Sequence, residues 1–125
     1  MENKERFRKA NSIVAELIIE LEAHLSNEII LNDEFIDSLW EIQSNIEHSI
    51  LMIKLCLNDD VVFSPQQDSQ ITEIKEIVQE SLKAIKNSLQ HMGNDEHVKA
   101  LNDLRYGGHL IKNTLAKIRR KKITY

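Results

Sequence analysis

Apolar residues recur along most of the chain at alternating steps of three and four, the spacing that lines up one side of a helix. In the first such segment Phe7, Ala10, Val14, Leu17 and Leu21 form the stripe, widened by Ile13, Ile18 and Leu25. This predicts a helix over about 4–30. Asn32-Asp33 interrupts the pattern, and the Asp33 carboxylate is suited to cap a second helix over about 34–57. That helix carries Phe35, Leu39, Ile42, Ile46, Ile50 and Ile53, with Trp40 beside the stripe as a core or core-edge residue. Ser64-Pro65-Gln66-Gln67 reads as a helix start, because proline at the first helical position gives up an N–H that has no partner there. A third helix over about 65–92 then carries Ile71, Ile74, Val78, Leu82, Ile85, Leu89 and Met92, and Gly93 suits a left-handed terminator. A fourth, over about 95–122 and capped by Asn94 or Asp95, carries Val98, Leu101, Leu104, Gly108, Ile111, Leu115 and Ile118.

The joints are short, which favours antiparallel neighbours. The expected fold is therefore all-α: an antiparallel, up-down-up-down four-helix bundle forming a single domain over 1–125. Three glycines and one proline in 125 residues suit long helices better than a turn-rich β fold. Gly108 falls on the apolar stripe, where a missing side chain lets helices approach closely.

Candidate chemistry narrows the picture further. Cys56 is the only cysteine, so neither an intrachain disulfide nor a cysteine zinc cluster can form. The opening MENKERFRKANS has no apolar signal core, and Ile50–Leu57 is interrupted by Lys54 and too short to span a bilayer. The expectation is a cytoplasmic protein with no membrane contact. No phosphate loop, nucleophile elbow or dinucleotide fingerprint occurs. The five histidines include no Glu-x-x-His pair, so no metal site and no cofactor is expected, and Glu20, His24 and Glu28 read as a polar helix edge. The expectation is a protein that is not an enzyme.

Charge is distributed unevenly. Between Leu101 and Tyr125 stand Arg105, Lys112, Lys117, Arg119, Arg120, Lys121 and Lys122 against a single acid, Asp103. The remaining residues hold nine basic and nineteen acidic side chains, and the whole chain is at -4. Consecutive residues on a helix turn by about 100°, so Arg119–Lys122 cannot all face one neighbour. These seven cations are the candidate contact residues. They could complement the chain's own acids, dock an acidic protein or a second copy, or meet nucleic-acid phosphates.

Two resemblances bear on that choice. Gly108-His109-Leu110-Ile111, Leu115-Ala116-Lys117-Ile118 and Arg120-Lys121 resemble the last helix of the small helical accessory proteins of diversity-generating retroelements, over less than a fifth of the chain. That resemblance implies a ring-shaped oligomer that binds a reverse transcriptase and nucleic acid. The tryptophan of that helix is replaced by ordinary residues around Thr114. Arg105 and His109 resemble the arginine–histidine pair of HEPN-type ribonucleases, with three intervening residues where that pattern has four to six. The polar residue that follows the arginine there is missing too. The favoured reading is a small adaptor, regulator or chaperone-like module that binds a partner protein through its helix faces, and homo-oligomerisation is open to it. The alternatives are a nucleic-acid-binding accessory protein and a HEPN-like ribonuclease.

Overall fold

The computed structural model describes residues 2–57 and 73–123, with side chains over 4–57 and 73–118. The described residues form four helices and no strand: α1 (Glu2–Ser26), α2 (Asp33–Cys56), α3 (Ile74–Gly93) and α4 (His97–Ile123). The stripes become one shared core, in which Val14, Leu17, Leu21, Leu39, Ile42, Ile46, Val78, Ile85, Leu101, Leu104 and Ile111 are sealed from solvent. Burying a side chain of this size contributes about 1.5–3 kcal/mol, so the stripes drive the assembly.

The helix ends have local causes, and several differ from the expectation. α1 stops at Ser26, four residues short of Ile30. The Ser26 hydroxyl and the Asn27 amide both donate to the Ala23 carbonyl, at 2.9 and 3.1 Å, and so compete with a further helical turn. α2 is capped by Asn32 and not by Asp33: the Asn32 Oδ1 accepts from the Phe35 N–H at 2.8 Å. Asp33 and Glu34 instead occupy the first turn, where the helix dipole favours anions. The proposed start at Ser64-Pro65, with Ile71, lies outside the described residues, and the described part of α3 begins at Ile74.

The α3–α4 turn places its left-handed residue at Asp95, with φ of 59°, and not at Gly93. The Glu96 N–H donates to the His91 carbonyl at 2.8 Å and the Asp95 N–H to the Met92 carbonyl at 3.2 Å. This is the paired closure of a helix end that needs one left-handed residue, usually glycine. Glu96, rather than Asn94 or Asp95, then precedes α4, and its carbonyl accepts from Ala100 at 3.0 Å. Asp95→Gly should stabilise the protein by about 1 kcal/mol, because glycine takes this conformation without a Cβ clash. A urea titration of the two proteins measures the difference.

The neighbours are α1 with α2, α2 with α4, α4 with α3 and α3 with α1. α2 and α3 lie diagonally apart, as do α1 and α4. The directions follow from paired contacts. Arg6 donates to the Leu55 carbonyl at 3.3 Å while His24 meets Ser38 at 2.7 Å, so α1 and α2 are antiparallel. Ser81 meets Gly107 and His91 meets Asp103, so α3 and α4 are antiparallel. Phe7 stacks on His97 at 4.2 Å, which puts the starts of α1 and α4 at the end where α2 and α3 finish. α2 and α3 therefore run in the same sense, which corrects the up-down-up-down order. The physical reason is that α4 packs on both of them, through Gly108 against α2 and Gly107 against α3, so two helices that each run antiparallel to α4 share a direction.

Candidate helix-face docking site

The three cations whose side chains are described do not share one side of α4. Arg105 is half-buried on α4, and Lys112 and Lys117 are exposed. Arg105 and Lys112 are seven residues apart and share a side of the helix, whereas Lys117 is turned about 140° from Lys112. α4 continues as helix to Ile123, so Arg119, Arg120, Lys121 and Lys122 belong to its last turns, and their side chains lie outside the described residues. Asp103, the lone acid of this stretch, accepts a hydrogen bond from His91 Nδ1 at 2.6 Å and ties α4 to α3. The α2 N-terminus, with Asp33 and Glu34 in its first turn, and the α4 C-terminus lie at the same end of the molecule.

Of the residues considered for chemistry, His109 Nε2 is hydrogen-bonded to the Asn113 amide at 3.1 Å. His24 shares its Nε2 hydrogen bond with Ser38 and packs edge-on against Phe35. A hollow of about 280 Å³ beside the α1–α2 turn is lined by these residues with Glu28, Ile30 and Glu34. Among the described residues, no group of three or more histidine, cysteine, aspartate or glutamate side chains is arranged to hold a metal ion. No described helix is long and apolar enough to cross a membrane. Burial raises the Cys56 thiol, against the pull of Arg6, and its Sγ–H donates to the Met52 carbonyl at 3.3 Å.

Gly107 and Gly108 are both buried, and they face different helices. A Cβ on Gly107 would lie 3.3 Å from Ile85 of α3, and one on Gly108 would lie 3.1 Å from Ile46 of α2. The Gly107 carbonyl also accepts from the buried Ser81 hydroxyl at 3.1 Å. The pair thus lets α4 approach both neighbours at once, so it is a packing device with no phosphate to cradle.

The largest departure from expectation lies on α2. Trp40, placed at the core edge by sequence, is 51% exposed, and Leu51 and Leu55 are 53% and 49% exposed. With the exposed Ser44 and Glu47 they occupy positions 40, 44, 47, 51 and 55, which at steps of four, three, four and four form a second stripe. That stripe is turned roughly 150° from the buried one of Phe35, Leu39, Ile42, Ile46 and Ile53. α2 is therefore apolar on two sides, and only one of them is used by the core. Two stripes of one helix need two partners, but which of them the core would use shows only once α1 and α4 are packed on α2.

Acids crowd beside the upper half of this face. Burial, then the carboxylates of Glu41 and Glu16, hold the Glu20 carboxyl above its ordinary value, with His24 pulling it down. A raised carboxyl favours the folded state while protonated and loses that contribution as pH rises through its folded value. Glu20→Gln should therefore be more stable than the parent at pH 7, and the gap should close below about pH 4, where carboxyls are protonated in both states. Urea midpoints at the two pH values check it.

No family model matches the chain, and neither a curated protein nor a solved structure gives a significant match.

Proposed function

We propose that the protein is a non-enzymatic binding module, an adaptor or regulator that docks a partner protein against the outward side of α2. The observation that carries this reading is the exposure of Trp40, Leu51 and Leu55 along one line. Apolar side chains aligned on one surface, rimmed by charge, make a docking site, and tryptophan is among the residues that contribute most when covered. Charges around the face, Glu41 and Lys54 on α2 and Arg6 on α1, would set orientation and association rate. The test is affinity capture from the native host with the parent chain and with Trp40→Ala/Leu51→Glu/Leu55→Glu. The bound protein should be lost with the triple variant and kept with Lys112→Ala/Lys117→Ala. A partner retained by the triple variant would place docking elsewhere.

A second reading is favoured by the continuation of α4 as helix to Ile123. In that register Arg105, Lys112 and Arg119 repeat every seven residues, as a phosphate-tracking stripe would. Retention on RNA that falls steeply with salt and disappears in Arg119→Ala/Arg120→Ala/Lys121→Ala/Lys122→Ala would establish it. Retention unchanged by those substitutions would remove it.

A further inference from the structure

We propose that the occupant of the α2 face is a second copy of this chain, its α2 lying antiparallel to the first about a two-fold axis between Glu47 and His48. This rests on the docking-face reading above and names its partner. An isologous contact requires one surface to complement itself when turned over, so that each pairing occurs twice. With the axis between Glu47 and His48, Trp40 lies opposite Leu55 of the second copy. Leu51 lies opposite Ser44, whose small side chain leaves room for it. Glu41 lies opposite Lys54, and the two Glu47 side chains flank the axis with His48 to one side. The large apolar groups meet apolar or small ones, and Glu41 meets a base.

Charge selects the antiparallel sense. The first half of α2 carries Asp33, Glu34, Asp37 and Glu41, and Glu16 and Glu20 of α1 crowd beside Glu41. The second half carries one acid, Glu47, and one base, Lys54, and Arg6 of α1 reaches the Leu55 carbonyl there, so it lacks the acidic excess of the first half. An antiparallel pair sets the acidic half of each copy on the charge-balanced half of the other, whereas a parallel pair would stack acid on acid. Steps of four and three along Trp40, Ser44, Glu47 and Leu51 also suit two helices packed side by side at a shallow angle.

The test is solution mass by light scattering on the full chain at about 100 µM, where a dimer with a Kd of about 1 µM is mostly formed. The parent should weigh twice the 14.5 kDa of one chain. Leu51→Glu should weaken association about 100-fold or more and bring the average mass at least midway down to that of a single chain, because two buried contacts are lost per dimer. Glu41→Lys should weaken it about tenfold or more by setting lysine against lysine, and Glu41→Lys/Lys54→Glu should restore it. Far-ultraviolet circular dichroism of each variant separates loss of pairing from loss of fold, since all three positions are exposed. A parent mass of one chain at this concentration overturns the second copy as occupant. If host-partner capture still depends on Leu51, the docking face itself stands. A dimer that survives Leu51→Glu is built on another face and likewise overturns the second copy as occupant. Failure of the charge swap to restore the dimer overturns the antiparallel register.

Discussion

Gly108→Leu should destabilise the protein by about 3 kcal/mol or more, enough to leave a marginal fold largely open. A Cβ at this position already lies 3.1 Å from Ile46 Cγ2, and the Gln43 amide is 3.6 Å away. Leucine adds three further carbons at a contact between α2 and α4 that has no free volume. The opposing group is on the helix wall, so relief needs α4 to move away from α2, and that movement opens the core around Leu39, Ile46 and Leu104. Gly108→Ala is the informative control. Alanine gains about 1 kcal/mol of helix propensity over glycine and asks Ile46 to give by a few tenths of an ångström. Its net effect should be small, whereas leucine's should be large. Urea unfolding of the three proteins measures the series, and a mild effect of leucine would show that α2 and α4 are not held at this spacing.

Ile46→Ala should cost about 2–5 kcal/mol by itself. Ile46 is wholly buried, its carbonyl accepts from the buried Ser49 hydroxyl at 2.8 Å, and its side chain fills the space Gly108 leaves open. Truncation removes several methyl contacts and leaves a void that rigid helices close only in part. The two sites touch, so their effects should not add. In the double variant Ile46→Ala/Gly108→Leu the new leucine would occupy part of the void. The combined loss should then fall at least about 1 kcal/mol short of the sum of the single losses. Strict additivity would mean that the two positions are not in contact.

The core stripes were legible because a helix must bury one side whatever its neighbours are. Ala10, Val14, Leu17 and Leu21 of α1 are fully buried, as are Leu39, Ile42, Ile46 and Ile53 of α2. Which helices would touch was not legible. Periodicity names the buried side but not what covers it, and the order of neighbours turned on α4 packing against both α2 and α3 through Gly108 and Gly107. Hydrophobicity alone misplaced Trp40 and Val98, which are 51% and 46% exposed. Trp40 follows the buried Leu39 in sequence but belongs to the outer stripe, and Val98 sits in the first turn of α4. Polar burial was equally silent: Gln43, Ser81 and Thr114 are buried because α4 comes close or because a local carbonyl accepts their protons. Asp95 in a left-handed turn contradicts the residue preference that pointed to Gly93. Its paired backbone hydrogen bonds outweigh a strain that aspartate tolerates better than most residues. For the candidate site, the cationic stretch was visible as composition, whereas the outer face of α2 needed the packing of the other three helices before it stood out.

Trp40 is the only tryptophan in the chain and sits on the proposed face, so its fluorescence reports directly on whether that face is covered. Collisional quenching by acrylamide, followed as protein concentration rises from well below to well above micromolar, is the decisive measurement. Quenching should be efficient in dilute solution and in Leu51→Glu at every concentration, and should fall as the parent chain concentrates. A tryptophan equally quenched throughout the parent titration would contradict occupation of the face by a second copy. One shielded even in dilute Leu51→Glu would contradict an outward-facing Trp40 altogether.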